Sequence, residues 1–495
     1  MAINRVDRFF LGLFILHVVL LVLFLDNTYT DGWNLRQAQT AMMTRNIAAD
    51  GLYFLPTRLD FFAPYAGDVI LEFPFLHSIT AIANNWFGES EIIGRVIILA
   101  FHLLNIVIVY LILAQLFSSI TAKTFTLIYC YTPIIFYSAH AYIPETTMLF
   151  FYLLSFYCFL QADISRFFGR YVFRVALALL PLLKPIGGVI FFPILAASFK
   201  RGLRPFSREA LLLGICSIPI LLWMSYGYII NNGSTGTGGS WANWSDILLG
   251  RGGIVGNWIN PEFYSNVLFS LIFLNSTPVV MGLAGLSLFK RTPFVERQFL
   301  AYWAIANIVV LFLFAGANRG HPYYQIYFVP IILIYAASYF DMLVKKLERV
   351  QLQKGVLVLV LSHVFVSLVV FAHGVDETKR IDNLDEFRFV SEAYISGMPR
   401  NKENFVVIQS ERMTSGVYDY YLNHYTQQFS LRHHRAPKLH LREQVEKGAK
   451  YLFMINTSYG NTVSISKNNH AYWEWLNLNT AVLYDSPSMM LFEFR

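Results

Sequence analysis

The sequence predicts a polytopic α-helical membrane protein of about eleven transmembrane helices, followed by a C-terminal extracytoplasmic α/β domain. Three observations predict it. Of 495 residues only 14% are charged and 56% are hydrophobic, whereas a soluble domain carries roughly 25% charged residues. Apolar runs close to the ~20 residues that cross a ~30 Å hydrocarbon core recur down to residue 373. From residue 374 the hydropathy falls and short β-like runs take over. Charge follows the same division. Residues 1–373 hold 24 basic and 17 acidic side chains and residues 374–495 hold 14 of each, so the whole excess of +7 lies in the membrane part. A basic balance placed there points to membrane topology and away from nucleic acid. The three cysteines, Cys130, Cys158 and Cys216, fall inside apolar runs, so neither a disulfide framework nor a Cys-based zinc site is expected.

The eleven runs are 9–25, 92–117, 124–139, 147–162, 171–184, 185–199, 209–231, 265–289, 299–317, 325–343 and 355–373. The first lacks a small-residue cleavage site and reads as a retained anchor preceded by Arg5 and Arg8. Basic residues resist translocation, and with the N-terminus inside, 17 of the 24 fall on the inner side. An odd number of crossings then puts the C-terminal domain outside. Two outer segments are long. The first, 26–91, holds an amphipathic stretch from Gln37 to Ala49 and an apolar one from Val69 to Phe87, both read as helices at the outer interface. The second, 232–264, is rich in Gly, Ser, Asn and Trp, as suits a loop over a site. In the domain 374–495, strands are expected at Phe405–Ile408, Tyr451–Ile455, Ala481–Tyr484 and Met489–Phe494. Helices are expected at Leu384–Ile395, Gly416–His424 and Leu441–Lys450, giving a partly parallel sheet.

Ionisable groups near a bilayer are costly unless paired or hydrated, so the outer ends of the spans are where chemistry is expected. Four clusters stand there: Asp31 to Ala41 with Arg36, Gln37 and, farther on, Arg45; Asp68 to Pro74 with Glu72; His140 to Glu145; and Asn318 to Gln325. Lys184 sits between two apolar runs on the side opposite most lysines. Each has a structural alternative. Asp31 suits a helix cap, Glu145 follows a proline at a helix start where any acid is favoured, and His321 with its tyrosines suits an aromatic belt. Arg36 and Arg45 suit snorkelling or pairing with Asp31, and Lys184 suits a span end. Glu72, amid Ile70, Leu71, Phe73 and Phe75, needs a partner. Together the clusters place carboxylates and cations from separate stretches at one membrane face, which suits a substrate with a lipid tail and an anionic headgroup.

The early acid of the first outer loop, the Arg36-Gln37-Ala38-Gln39-Thr40-Ala41 run, Glu72-Phe73-Pro74, Pro144-Glu145, Lys184-Pro185 and His321-Pro322-Tyr323-Tyr324 resemble the GT-C membrane glycosyltransferases. Within these the chain is most similar to the bacterial branch of the dolichyl-phosphate-mannose protein mannosyltransferase and lipid A aminoarabinose transferase group. The resemblance implies a GT-C transmembrane catalytic domain, 1–373, and an extracytoplasmic domain, 374–495. It also implies a polyprenyl-phosphate-linked sugar donor, undecaprenyl phosphate in bacteria, and inversion at the anomeric carbon. It implies as acceptor a cell-envelope glycan, lipid or protein hydroxyl outside the cytoplasmic membrane. An attacking hydroxyl needs a general base and a departing lipid phosphate needs positive charge.

By the resemblance the base is Asp31. Many members carry an Asp-Glu pair where this chain has Asp31-Gly32, and a strict helix register puts Arg36-Gln37 there, so Glu72 stands as the alternative base. Glu145 corresponds to an acid contacting acceptor or donor sugar. Lys184, Arg319 and His321, with Arg36, are candidates for the phosphate. Tyr323, Tyr324, Trp33 and Gln37 are candidates for sugar or lipid contacts. The acids with His321 are chemically able to hold a divalent ion, but no tight ligand spacing is present, so no metal or other cofactor is predicted. Two other classes are compatible with a multi-pass chain: a transporter or lipid flippase, and a non-catalytic envelope assembly protein. Transporters favour mid-span polar groups and internal repeats, whereas here the strong ionisable groups gather at span ends.

Overall fold

The structure, a computed structural model, describes residues 5–26, 33–55, 57–59, 68–69, 72–161, 167–200, 202–234, 253–289, 297–376, 383–399, 404–409, 418, 421–422, 430–433, 438–456 and 470–495. Asp31, most of the second outer loop and most of the stretch 416–424 lie outside the described residues.

In chain order the helices are α1 (Arg5–Leu23), α2 (Asn34–Asp50), α3 (Phe75–Phe87), α4 (Glu91–Leu116), α5 (Ser119–Tyr131), α6 (Pro133–Ser138), α7 (Glu145–Leu160), α8 (Phe167–Leu183), α9 (Phe191–Lys200) and α10 (Leu203–Ser234). There follow α11 (Gly253–Trp258), α12 (Pro261–Phe269), α13 (Pro278–Phe289), α14 (Arg297–Leu313), α15 (Ala315–Gly320), α16 (Val329–Val344) and α17 (Arg349–Asp376). Tight 3₁₀ turns at Pro185–Ile190 and Pro322–Phe328 lead into α9 and α16. Each predicted apolar run coincides with helix, but prolines cut several of them short. A proline lacks the amide hydrogen and pushes its predecessor out of the helical region, and Pro133, Pro185, Pro278 and Pro322 each begin a new segment.

Among the described residues four helices are long and apolar enough to cross a membrane: Glu91–Leu116, Phe206–Ile230, Pro322–Val344 and Val350–Ala372. A fifth is Pro261–Leu274 with Pro278–Phe289, taken as one span bent by 101°. The bend has identifiable supports. A π-turn at Ser270–Leu274 precedes it, and Asn275 Nδ2 donates back to the Ser270 carbonyl at 3.1 Å. Thr277 Oγ1 lies 2.9 Å from His363 Nδ1, and His363 Nε2 lies 2.9 Å from the Ile128 carbonyl. A carbonyl only accepts, so Nε2 carries the proton and Nδ1 of the neutral ring accepts from Thr277.

The chain divides into two compact units. One comprises Met1–Asp26, Arg95–Tyr226 and Asn243–His373, and is helical. The other comprises Asn27–Gly94, Gly227–Ala242 and Gly374–Arg495, so that the first outer loop groups with the C-terminal domain; Tyr421 OH donates to Glu91 Oε1 at 2.9 Å within it. In this second unit α2 is buried continuously from Gln37 to Ile47. The predicted interfacial helix therefore has no water-facing stripe over that stretch, and its Gln, Thr, Arg and Asn side chains are enclosed. A short antiparallel ribbon, β1 (Thr57–Arg58) with β2 (Asp68–Val69), separates α2 from α3.

The C-terminal domain is an α/β fold on a five-stranded sheet of order β4-β3-β5-β7-β6, where β3 is Phe405–Gln409, β4 Ser430–His433, β5 Ala449–Ile455, β6 Thr480–Asp485 and β7 Met489–Phe494. β4, β3 and β5 are parallel, and β5, β7 and β6 antiparallel. All five residues of β3 are buried, as expected of a parallel strand covered on both faces. Phe405, Val407, Leu452, Met454 and Phe492 pack with Tyr472 and Leu476 of a helix at His470–Asn479. The partly parallel sheet is the one read from the sequence, whereas β4 and the helix at His470–Asn479 went unread.

Candidate functional site

In the helical unit three segments that each adjoin a proline come together. Pro144 precedes Glu145, the first residue of α7. Lys184 is extended (φ −150°, ψ 122°) before Pro185, and His321 is extended (φ −137°, ψ 90°) before Pro322. The steric demand of proline on the preceding residue thus ends α8 and α15 where these side chains emerge. The turn before Glu145 is pinned by buried bonds. Arg95 Nη1 donates to the His140 carbonyl at 2.8 Å, Thr146 Oγ1 to the Ser138 carbonyl at 2.6 Å, and Asn105 Nδ2 to the Thr146 carbonyl at 3.1 Å. The turn after Lys184 closes through Gly187 N to the Lys184 carbonyl at 2.8 Å. A Cβ at Gly187 would meet Leu180 Cγ at 2.8 Å and the Leu180 carbonyl at 3.0 Å, so a side chain there would press this turn away from α8. The tyrosine turn is braced by Gln325 Nε2, which donates to the Asn318 carbonyl at 3.0 Å.

At the centre Lys184 Nζ lies 2.8 Å from Glu145 Oε1, and both side chains are almost fully enclosed, 6% and 1% exposed. The contact is an ion pair in distance but lies off the direction a hydrogen bond requires, and neither Glu145 oxygen accepts one among the described residues. Lys184 Nζ also stands over two rings, 4.8 Å from the centroid of Tyr324 and 5.9 Å from that of Tyr323. His321 extends this aromatic group, 5.3 Å from Tyr323 and 5.8 Å from Tyr324, and is itself exposed. The structure therefore unites Glu145, Lys184, Tyr323, Tyr324 and His321. Arg319, two residues before His321, is held apart from this group, its carbonyl accepting from Asn266 Nδ2 at 3.3 Å.

A second cluster lies in the other unit. Arg36, on the first turn of α2, pairs with Glu72, and His77 Nε2 of α3 lies 3.8 Å from the same Glu72 oxygen. Glu72 and His77 are buried. The carboxylate that stood out as needing a partner has one in Arg36. Trp33 precedes α2 in the left-handed region (φ 54°), a conformation a bulky L-residue adopts only under constraint, and Gln37 is fully buried. Asp31 lies outside the described residues. No group of three or more His, Cys, Asp or Glu side chains suited to a metal ion occurs among the described residues.

Sequence reading named nearly all of these residues but assigned Glu145 and Lys184 separate tasks. Their pairing had no local signal, since the two are 39 positions apart (184 − 145). Arg95 and Asn105, which hold the Glu145 turn, were not singled out. An arginine and an asparagine within one apolar span were the available sign.

The fold has counterparts among solved structures. No family model matches the sequence, and no curated protein matches it. Among solved structures, ArnT from Cupriavidus metallidurans bound to undecaprenyl phosphate is similar with a TM-score of 0.63 and 15% identity, over 97% of this chain and 98% of that one. Its apo state gives 0.63 and 14% over 99% and 98%. The Archaeoglobus fulgidus oligosaccharyltransferase in the apo form gives 0.58 and 13%, over 98% of this chain and 74% of that one. At these identities the likeness is one of fold.

Proposed function

We propose that the chain is an inverting membrane glycosyltransferase that moves a sugar from a polyprenyl-phosphate donor to a cell-envelope glycan, lipid or protein hydroxyl at the outer face of a bacterial cytoplasmic membrane. The observation that carries this reading is the enclosed Lys184, held by Glu145 beneath Tyr323 and Tyr324, in a fold similar to that of a protein solved with undecaprenyl phosphate. A lysine without a phosphate to bind has little reason to be dehydrated at a proline-made break between apolar helices. On this reading Lys184 takes the charge that develops on the departing phosphate, with His321, Arg319 and Arg36 as further cations. Glu145 fixes the ammonium and contacts the sugar, and the tyrosine rings give it a flat, apolar surface. The acceptor proton passes to an acid of the first outer loop. Glu72 already accepts from Arg36, which favours Asp31 as the base, with the Arg36–Glu72 pair positioning the loop.

The topology that goes with this reading has eleven crossings, the N-terminus inside, and both the first outer loop and the C-terminal domain outside. The test compares Asp31→Asn with Glu72→Gln in cells at matched expression. Asp31→Asn is expected to abolish the glycan product. Full product from both variants would overturn the assignment of the base to this loop.

A further inference from the structure

A second feature of the helical unit takes no part in the chemistry above. Along α9, Phe192, Leu195, Ala196 and Phe199 recur at the three- and four-residue spacing of one helix face, and with Phe206 and Tyr302 they line a cavity of about 490 Å³. This lies within the range of about 300–1,000 Å³ typical of small-molecule sites. Phe199 meets Phe206 edge-to-face at 5.3 Å, and Phe192 meets Tyr302 at 6.3 Å. One cation lines the same space: Lys200 Nζ stands 5.4 Å from the centroid of Tyr302.

The chain itself sets the depth of this cavity. The apolar helix Pro185–Lys200 ends at Lys200, and the apolar span Phe206–Ile230 begins six residues later. The cavity therefore sits where hydrocarbon gives way to headgroups. The connection between those helices is strongly basic: Lys200, Arg201 and Arg204, with Arg208 one turn on. Its ligand must accordingly be apolar along one end, because Phe192, Leu195, Ala196, Phe199 and Phe206 offer no side-chain hydrogen-bond partner, and anionic at the other.

We propose that this cavity seats an anionic phospholipid, with its phosphate against Lys200 and one acyl chain along the Phe192–Phe199 stripe. A zwitterionic lipid fits the wall equally well but gains less from the Lys200 ammonium that lines it. A water-soluble anion gains from the charge but leaves the aromatic wall uncovered. The inference does not depend on the transfer reaction, so it stands or falls separately.

The test is native mass spectrometry of the full-length protein in detergent, titrated with phosphatidylglycerol and with phosphatidylcholine of identical acyl chains. The wild type is expected to hold phosphatidylglycerol about fivefold more tightly, the factor that one basic residue near an anionic lipid typically supplies. Lys200→Gln, at an exposed position, should reduce that preference towards parity, and Ala196→Trp, which fills the cavity, should lower retention of both lipids. Equal retention of the two lipids by the wild type, or an undiminished preference in folded Lys200→Gln, would overturn the proposal. Displacement of the phospholipid by undecaprenyl phosphate from the wild type but not from Lys200→Gln would also overturn it, by making the cavity part of a polyprenyl site.

Discussion

Replacing Lys184 by methionine removes an ammonium from a place where water cannot readily take over its role. The pair it forms with Glu145 is enclosed, with 2.8 Å between the charged atoms. Two unit charges at that distance attract by about 6 kcal/mol at an effective dielectric near 20. Dehydration of each ion, several kcal/mol apiece, consumes most of this, so the intact pair adds little net stability. The single variant differs because the carboxylate stays dehydrated and loses its counter-charge. Lys184→Met is therefore expected to cost about 3–5 kcal/mol. Lys184→Met/Glu145→Leu removes both charges and is expected to return to wild-type stability or exceed it.

Phosphate binding separates from stability in this pair of variants. Both lack the cation, so both should bind undecaprenyl phosphate about 10- to 150-fold more weakly, the equivalent of about 1.5–3 kcal/mol for a charge-assisted hydrogen bond. The assay is the unfolding transition in detergent beside lipid binding, for wild type, single and double variant. A single variant as stable as the wild type would refute the enclosed ion pair. A double variant that recovers lipid binding together with stability would refute the role of Lys184 towards phosphate.

Three further outcomes follow from the geometry. Tyr324→Leu removes the ring 4.8 Å from Lys184 Nζ, a contact worth about 1 kcal/mol. Steady-state kinetics should show about a fivefold rise in KM for the lipid donor with kcat little changed, whereas an unaltered KM would deny the ring a part in binding. His363→Ala strands the Thr277 hydroxyl, whereas the Ile128 carbonyl keeps its bond from Thr132 Oγ1, and unfolding in detergent should show a loss of about 1–3 kcal/mol for the one unpaired group; a stability within error of wild type would mean the Thr277–His363 bond does not hold the bent helix pair. In the C-terminal domain, burial pushes the Glu386 carboxyl up, but hydrogen bonds from Ser486, Ser488 and Tyr484 outweigh it and hold the group below its ordinary value. A carboxyl lowered on folding stabilises the domain above its unfolded value, and that stabilisation is lost as pH falls through the lowered one. Glu386→Gln should flatten this acid limb of the stability curve, and an acid limb unchanged by the substitution would contradict the assignment.

The parts legible in the sequence are those in which one physical signal acts locally. Apolar runs located the helices of the membrane part, and short β-like runs located β3, β5, β6 and β7. β4, Ser430–His433, escaped because it pairs on one side only and carries Arg432 and His433, the charged composition edge strands use against aggregation. The prolines were visible, but what they do to a span is not additive with hydropathy: the run 265–289 reads as one crossing, while the structure bends it by 101°. In the candidate site, residue types and the proline steps were legible, because Lys184, Glu145 and His321 each adjoin a proline. Partnership was not. That Lys184 would meet Glu145, and Arg36 meet Glu72, depends on which helices pack together.

Glycan mass spectrometry of a deletion strain beside its parent, with wild-type and Lys184→Met complementation, tests the central reading most directly. The account predicts a missing sugar mass on one envelope glycan, lipid or protein in the deletion strain, restored by the wild type and not by an equally expressed Lys184→Met. Envelope profiles identical in all four strains would contradict it.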